Sequence, residues 1–281
     1  MNGEVVSYPG LPAASDSERL DTMHNVIARY FGNELGPAPL NGLRPSKIME
    51  LGCGTGAWSD IQMAVQAAKQ FPDAQVVAVD QFPLPDRILP PNMNFQLADL
   101  KQKLEFEDDT FDIVHSRLVM MHVVDGRDAL RRASKLVKPG GLLLIEDLDA
   151  ISLAESGGPA TRRSQYKLKE IQERRGVDVE FGRKIEAIIK SLGDFSDIQV
   201  KKVSMPFGAN TSDETLNQLG LAMKKFITEF FGTFSSPLHD QGLTRELVHE
   251  FREEQEQSDN KSVMDMYFCW ARRSPSIHQC H

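Results

Sequence analysis

The sequence of 281 residues has few cysteines and no excess of positive charge. Its three cysteines, Cys53, Cys269 and Cys280, are too few and too unevenly spread for a disulfide framework or a zinc site, so no metal is expected. The formal net charge of −8 argues against broad nucleic-acid binding, because neutralising phosphates requires a basic face. These shortages predict a reducing compartment, with the cytoplasm as the default, and no direct nucleic-acid partner.

Long apolar runs are also missing. No stretch reaches the ~18 residues that a membrane span needs, and residues 1–17 lack the basic start and apolar stretch of a signal peptide. The apolar content of 41% and the charged content of 26% are those of an ordinary globular protein. We therefore expect no membrane partner and a chain long enough to bury one large core.

What the sequence does contain is a short apolar run that enters a glycine-rich loop. In "IMELGCGTGAW", glycines occupy alternate positions at Gly52, Gly54 and Gly56. Glycine costs roughly 0.5–1 kcal/mol relative to alanine in regular structure, so three together suggest that something approaches this backbone closely. A strand that ends in glycines and continues into a helix presents free N–H groups to a nucleotide or a similar charged, hydroxyl-rich ligand.

Three acids mark the ends of three successive predicted strands. Glu50 stands two residues before Gly52, Asp80 ends "AQVVAVD", and Asp99 ends "NMNFQLAD". The carboxyl ends of parallel strands form one crevice, where an acid can accept hydrogen bonds from ribose hydroxyls. Each acid alone is as well explained as a loop carboxylate or a helix cap. Together with the glycines, the set favours a ligand site.

Alternation of apolar strands with amphipathic segments predicts an α/β protein with a doubly wound sheet. The expected strands are 47–51, 74–80, 92–99, 110–116, 142–149, 195–207 and 262–271. The expected helices are 15–31, 57–70, 126–136, 161–174, 181–192, a long apolar-striped helix behind a capping box at Thr211 and Glu214, and 244–257. The second half of the chain therefore reads as helices laid over the sheet, with two closing strands.

The glycine loop leaves two cofactor classes open. Gly52-x-Gly54-x-x-Ala57 formally satisfies the dinucleotide pattern. A hydride-transfer enzyme also needs a proton-relay group, and the Tyr-x-x-x-Lys arrangement is absent because Tyr166 has Glu170 at that spacing. An S-adenosylmethionine site has no pyrophosphate to hold, and the spacing favours it. A nicotinamide oxidoreductase therefore remains the last alternative.

Three segments, "MELGCGTG", "VVAVD" and "LVKPGGLLLIED", resemble the class I S-adenosylmethionine-dependent methyltransferases over residues 46–150. The flanking "SDSERLDTMH", "PPNMNFQLAD" and "FDIVHSR" are similar to the fungal LaeA-like group, which covers regulators and tailoring enzymes of secondary metabolism. The resemblance implies a Rossmann-like sheet of seven mostly parallel strands, the last antiparallel, with an N-terminal helical lid and a helical cap inserted late in the chain. It implies S-adenosyl-L-methionine as cofactor and S-adenosyl-L-homocysteine as product.

The same resemblance implies a domain plan and a cofactor site. One methyltransferase domain would cover 1–281, with an N-terminal helical extension at 1–45, a cofactor-binding half at 46–155 and a substrate-side half at 156–281 whose cap covers about 207–258. The glycines would line the methionine portion, Asp80 would bind the ribose, and Asp99 with Leu100 would flank the adenine. The full expected cofactor set is Glu50, Gly52, Cys53, Gly54, Gly56, Trp58, Asp80, Gln81, Asp99, Leu100, Ser116 and Arg117.

Methyl transfer from a sulfonium is an in-line displacement, so the protein chiefly supplies alignment and desolvation. A base is needed only for a protonated acceptor. His122 is the first candidate because it follows the strand at 110–116 by one short turn, although a helix-packing role explains it equally well. His115 lies in that strand and is more often structural. Glu146, near the end of the strand at 142–149, is the third catalytic candidate.

The candidate substrate residues lie around the same crevice. An N-terminal lid would contribute side chains, two methionines would form a flexible wall, and one edge of the apolar helix would face an apolar or aromatic acceptor, although such a stripe is more often core. These residues are Tyr8, His24, Met120, Met121, Asp147, Phe226 and Phe230.

Two functions of different classes follow. The first is S-adenosylmethionine-dependent methyl transfer to a small, apolar or aromatic metabolite of secondary metabolism. The second is a LaeA-like regulatory or scaffolding protein that retains the fold, for which a nuclear location is also open. A pericyclase that uses the bound cofactor without transferring its methyl group has no specific residue in its favour. The residues leave the acceptor and a homo-oligomeric state undecided.

Overall fold

The computed structural model describes residues 13–54, 63–84, 88–233, 236–257 and 259–275. These residues form the strands β1 (Lys47–Leu51), β2 (Gln75–Asp80), β3 (Met93–Leu97), β4 (Phe111–Arg117), β5 (Val137–Asp149), β6 (Phe195–Pro206) and β7 (Val263–Arg273). The helices are α1 (Ala13–Tyr30), α2 (Met63–Gln70), α3 (Gly126–Ser134), α4 (Ala150–Ser156), α5 (Pro159–Glu173), α6 (Phe181–Leu192), α7 (Glu214–Thr233), α8 (Ser236–His239) and α9 (Arg245–Gln255), with a 3-10 helix at Met120–His122.

The strands form one sheet in the order β3-β2-β1-β4-β5-β7-β6. Strands β1 to β5 pair in parallel, whereas β7 is antiparallel to both of its neighbours, β5 and β6. The chain order reverses direction at β1, where β2 lies on one side and β4 on the other. In doubly wound sheets, this switch point opens a crevice at the carboxyl ends of the strands. The predicted fold class is confirmed.

The central strands are apolar because helices cover both faces of the sheet. In β1, Ile48, Met49 and Leu51 are all buried, so this strand shows no alternation of polar and apolar residues. One face packs against α2. The other face packs against α3 and α6, within a larger core that extends to α7 and α9. Burial from both sides holds the ends of β1 and β4 in a fixed position.

The segment after α1, residues 31–40, is called the strap here. Phe31 packs edge-to-face on Phe268 of β7, with 4.7 Å between the ring centroids. Gln66 of α2 donates to the Asn33 carbonyl at 2.7 Å, and Leu40 is buried in the core beside α2. Helix α1 itself packs against α7. The strap therefore joins the N-terminal helix to both halves of the sheet.

Several boundaries differ from the sequence prediction. Strand β5 begins at Val137 rather than 142, because Val137 pairs with Phe111 before the Gly140 turn. Helix α4 was not predicted: seven residues following a strand without a break give no periodic pattern, and only the Asp149 side chain, which accepts from Ile151 N at 3.1 Å, caps it. Helix α3 ends at 134 instead of 136. No helix in the described part of the chain is long and apolar enough to cross a membrane.

Candidate functional site

The loop after β1 contacts the acid that ends β2. The backbone N–H groups of Gly52 and Cys53 donate to the Val79 carbonyl at 2.8 and 3.1 Å. The next residue, Gly54, donates its N–H to Asp80 Oδ2 at 2.9 Å. Asp80 Oδ1 accepts from the Phe82 N–H at 3.0 Å. The Asp80 carboxylate is thus held directly against the glycine loop, at the switch point of the sheet.

Gly52 and Gly54 favour glycine for different physical reasons. Gly52 has φ +65°, and a Cβ there would lie 2.6 Å from both methyl groups of Val119, which follows β4. Gly54 has φ +74°, and no described atom lies within 4 Å of the position a Cβ would take. Gly52 therefore allows the turn after β4 to pack closely, whereas the described residues leave space above the backbone of Gly54. Gly56 and Trp58 lie outside the described residues.

Asp80 is nine per cent exposed. Burial raises the pKa of its carboxyl, and the N–H groups of Phe82 and Gly54 oppose that rise by binding the ionised form. A buried carboxylate bonded only to backbone donors keeps acceptor capacity for further donors, since its two oxygens offer about four lone-pair sites. Ribose hydroxyls are donors of this kind.

The acid after β3 lies in a more open place. Asp99 Oδ1 accepts from Lys101 N at 2.9 Å, and its Oδ2 lies 3.2 Å from Lys101 Nζ. The Leu100 carbonyl accepts from Arg132 Nη2 at 2.7 Å, which fixes the chain after Asp99 to α3. Gln81 is exposed beside Asp80. These predicted cofactor residues therefore sit after the ends of the neighbouring strands β2 and β3.

Glu50 does not join the glycine loop. Its Oε2 lies 2.6 Å from His115 Nδ1, and its side chain is four per cent exposed. The register explains this pairing, because Glu50 of β1 is the partner position of His115 of β4 and both side chains leave the same face of the sheet. The three acids were expected to converge on one crevice. In the structure, Asp80 contacts the glycine loop, whereas Glu50 belongs to a separate group of side chains.

That group is a buried charge cluster, defined here as Glu50, His115, Arg117 and Glu146. Arg117 Nε donates to Glu146 Oε2, and Arg117 Nη2 donates to the Leu35 carbonyl of the strap at 2.9 Å. His115 Nε2 lies 3.5 Å from Glu146 Oε1. All four side chains are at most four per cent exposed. Two carboxylates and two basic groups are therefore enclosed between the sheet and the strap.

The cluster determines the protonation of its members. Burial lowers the pKa of His115, but the Glu50 charge and the contacts of the ring nitrogens with the Glu146 and Glu50 carboxylates outweigh it and raise that pKa to about 9. Burial raises the pKa of Glu146, but the Arg117 charge and His115 outweigh it and hold that pKa below its ordinary value. At neutral pH, His115 is consequently an imidazolium between two carboxylates, and it has no capacity to accept a proton.

The strap must pass very close to this cluster. A Cβ on Gly36 would lie 2.5 Å from Glu146 Oε1, and Gly36 has φ +143°. Only glycine combines that backbone angle with that approach. No local pattern connects residue 36 with residue 146, since nothing in the "GPAPLNG" stretch points to a buried carboxylate.

The residues after β4 carry the other candidate side chains. Leu118 has φ +56°, an uncommon conformation for a residue with a branched side chain, and its N–H donates to the Glu146 carbonyl at 2.8 Å. This turn places Val119 over Gly52 and starts the 3-10 helix at Met120–His122. Sequence reasoning missed Leu118, because leucine has no turn preference that would mark it.

The Asp147 side chain binds the backbone of that 3-10 helix. It is fully buried and accepts from the backbone N–H groups of Met121 at 3.0 Å and Leu148 at 3.1 Å. Burial raises its pKa to about 7, which the backbone donors only partly offset. Met120 and Met121 are buried in the main core, whereas His122 is exposed. Of the residues in this helix, His122 is thus the one that meets solvent.

The remaining candidates lie around this centre. The Ser116 hydroxyl is buried and has no hydrogen-bond partner among the described residues. His24 of α1 is partly exposed, but its Nδ1 is buried, and burial followed by the Arg117 charge lowers its pKa to about 3. Phe226 and Phe230 of α7 pack, partly buried, against the main core. Tyr8 lies outside the described residues. Within the described ranges, no group of three His, Cys, Asp or Glu could hold a metal ion.

Comparison with known proteins gives consistent matches. A family model described as a methyltransferase domain matches residues 22–183. Methyltransferase str2 of Strobilurus tenacellus is 37% identical over 255 residues, which are 90% of this chain and 90% of that protein. The secondary metabolism regulator laeA of Coprinopsis cinerea is 29% identical over 146 residues, and these cover 50% of this chain and only 35% of that protein.

The fold has relatives among solved structures. Phosphoethanolamine N-methyltransferase 2 of Haemonchus contortus, in complex with S-adenosyl-L-methionine, superposes with a TM-score of 0.52 at 21% identity. The superposition covers 96% of this chain and 62% of that one. At this identity the likeness concerns the fold.

Proposed function

The chain belongs to the methyltransferase-domain family, as a class I S-adenosylmethionine-dependent methyltransferase, and from that premise we propose that it methylates a small, apolar or aromatic metabolite. The observation that carries the proposal is the hydrogen bond from Gly54 N to Asp80 Oδ2, which joins the glycine loop to the acid of the next strand. At the same carboxyl edge of the sheet, no described atom lies near the position of a Cβ on Gly54, and the buried Ser116 hydroxyl has no partner among the described residues.

These residues fit the adenosyl sulfonium compound. In our proposal, Asp80 accepts the ribose hydroxyls, Asp99 and Leu100 border the adenine, and the backbone at Gly52 and Gly54 lies along the methionine portion. When bound, S-adenosylmethionine supplies an electrophilic methyl group with its leaving group already attached. The protein then has to align the acceptor in line with that methyl group and exclude water.

The three catalytic candidates differ in burial and in their hydrogen-bond partners. His115 is an imidazolium clamped by Glu50 and Glu146, so we assign it a positioning role. Glu146 is engaged with Arg117 in the same way. The exposed His122 remains the candidate base for an acceptor that must lose a proton, since its exposure lets it exchange that proton with solvent.

Apolar side chains support the proposed class of acceptor. Helix α7 holds Phe226 and Phe230 only partly buried, and together with Met120 and Met121 they would form an apolar wall. The methyltransferase str2 match extends over nine-tenths of both chains, including this second half. We therefore propose one methyltransferase domain over residues 1–281, with the cofactor half at 46–155, the substrate side at 156–281, and a cytoplasmic location.

The second candidate is a regulatory or scaffolding role like that of the laeA relatives. Their similarity to this chain is confined, in the Coprinopsis protein, to 146 residues, and it covers about a third of that protein. Co-purification of a partner protein, with no product from any metabolite, would favour this role. A homo-oligomeric state would be measured in the same preparation by light scattering.

The proposal is tested by titrating the protein with S-adenosylmethionine in a calorimeter. Asp80→Asn is expected to weaken binding about 10- to 100-fold, because hydrogen bonds to a charged group contribute about 1.5–3 kcal/mol. Asp73→Asn, in the exposed turn before β2, is the matched control and should bind like the wild type. Absence of wild-type binding at millimolar cofactor, or equal binding by Asp80→Asn, would contradict the proposal.

A further inference from the structure

Three nitrogens around Glu146 have no hydrogen-bond partner among the described residues. They are Arg117 Nη1, His24 Nδ1 and His115 Nε2, the last of which lies 3.5 Å from Glu146 Oε1 without forming a hydrogen bond to it. The Arg117 side chain is zero per cent exposed and that of His115 three per cent, so water at the surface does not reach them. Each other nitrogen of the Arg117 guanidinium already has a partner, in Glu146 or the strap. We call these three nitrogens the donor site.

Burying these nitrogens without a hydrogen-bond partner is costly. A buried donor without an acceptor costs about 1–3 kcal/mol, and nearly all buried polar groups in folded proteins have a partner. The other nitrogens of these two side chains do have partners. Arg117 Nε donates to Glu146, Arg117 Nη2 donates to the Leu35 carbonyl, and His115 Nδ1 lies 2.6 Å from Glu50 Oε2. An oxygen atom is the group that would pair with these nitrogens.

The charges of the cluster select the kind of oxygen. Glu50 and Glu146 carry two negative charges, and Arg117 and protonated His115 carry two positive ones, so the enclosed group is already neutral. His24 adds no charge at neutral pH. An incoming carboxylate or phosphate would bring an uncompensated charge into a buried place beside two carboxylates, which is unfavourable. A carbonyl or hydroxyl oxygen accepts from Arg117 without that cost.

The donor site adjoins the turn that packs on the cofactor loop. Arg117 is followed directly by Leu118 and Val119, the turn that packs on Gly52 of the cofactor loop. His24 lies close enough to Arg117, His115 and Glu146 for their charges to shift its pKa, and it is the partly exposed member of the group. His24 of α1 is therefore the member of the donor site that lies nearest to solvent.

We propose that the donor site binds a neutral oxygen, a carbonyl or hydroxyl, of the methyl acceptor, with Arg117 Nη1 as the principal donor and His24 Nδ1 as the second contact. This inference rests on the proposed function and specifies its substrate: an apolar or aromatic molecule that bears at least one uncharged oxygen. A trapped water molecule has the same chemistry, and the experiment separates the two.

The probes are acetophenone, benzoate and toluene, which share a phenyl ring and differ in carrying a neutral oxygen, an anion or neither. Their binding to the full chain saturated with S-adenosylhomocysteine is measured by saturation-transfer NMR. The ring nitrogens of His24 are followed by ¹⁵N NMR of histidine-labelled protein. Acetophenone is expected to bind at least about fivefold more tightly than toluene, to shift the His24 resonances, and to bind more tightly than benzoate.

The variants remove the donors without leaving an unpaired charge. Arg117→Lys keeps a positive group for Glu146 but loses the guanidinium fork, and His24→Phe removes Nδ1 from a neutral ring. Both are expected to abolish the advantage of acetophenone over toluene, whereas His24→Asn should keep part of it. Arg131→Lys, on the exposed surface of α3, makes the same chemical change elsewhere and should keep all of it.

The following results would contradict the inference. Equal binding of acetophenone and toluene, or no binding of either, with unmoved His24 resonances would mean that water alone fills the donor site. Preferential binding of benzoate would make it an anion site. Failure of the wild type to bind S-adenosylhomocysteine would instead count against the proposed function, so the two failures are distinguishable.

Discussion

Asp147 shows how one side chain can support a site at a cost in stability. It is fully buried at the end of β5, and its oxygens accept from Met121 N and Leu148 N, which holds the 3-10 helix that presents His122. Asp178 adds a weak repulsion from the segment before α6. Burial raises its pKa to about 7, above the ordinary value of 3.8. Its protonated form is therefore favoured by folding.

The sign of this linkage gives a prediction. A raised folded-state pKa contributes stability that is complete below pH 3.8 and is lost as the pH rises through about 7. Asp147→Asn removes this pH-dependent loss of stability. It also removes one of the two hydrogen bonds from backbone N–H groups, because the amide side chain has only one oxygen. The melting temperature of the variant minus that of the wild type should thus be more positive at pH 8 than at pH 5. Differential scanning calorimetry at the two pH values checks this, and an equal difference at both would contradict it.

At the scale of elements, an acid of one helix caps another helix in the second half of the chain. Helix α5 begins after Gly158 with no side-chain cap of its own. Glu254 of α9 takes that place: its carboxylate accepts from Ala160 N at 2.9 Å, from Thr161 N at 3.0 Å and from the Thr161 hydroxyl. A negative charge at a helix N-terminus is also favoured by the helix dipole. Glu254 thus joins two helices that are distant in sequence.

Glu254→Ala is expected to destabilise the protein by about 2 kcal/mol, because it removes a cap and leaves backbone donors of α5 unpaired. Urea unfolding monitored by circular dichroism measures this. Glu253→Ala, one residue earlier on the exposed side of α9, is the control and should change stability by less than about 0.5 kcal/mol. Similar effects of both substitutions would show that Glu254 does not act as the cap of α5.

At the scale of the whole molecule, the charge cluster couples the strap to the sheet. Glu50, His115 and Glu146 come from three strands, and Arg117 links them to the Leu35 carbonyl. The pKa of His115, raised to about 9, contributes stability that is complete below pH 6.5 and is lost as the pH rises through 9. Alkaline conditions should therefore weaken the attachment of the strap.

His115→Gln is expected to lower the melting temperature more at pH 6 than at pH 9.5, by a difference on the order of a few degrees. His249→Gln, an exposed histidine on α9, is the control and should show no such difference. If His115→Gln does not fold, the His115 resonance of the wild type serves instead, with titration expected near pH 9. A midpoint near 6.5 would contradict the coupling.

The sequence by itself determined the elements with strong periodicity and clear ends. Helix α6 begins and ends where predicted, because its apolar stripe is regular and Gly193 terminates it with φ +83°. The seven strands and the glycine loop were likewise predictable, since apolar runs, glycines and acids are local patterns.

Tertiary structure alone decided which distant residues meet. The pairing of Glu50 with His115 depends on the register of β1 against β4, and a shift by one residue would turn these side chains to opposite faces. Likewise, the strap reaches Glu146 only because Gly36 is brought over β5 from 110 positions away in the chain. Local patterns encode how a segment folds, whereas burial of charge depends on what the rest of the chain places around it.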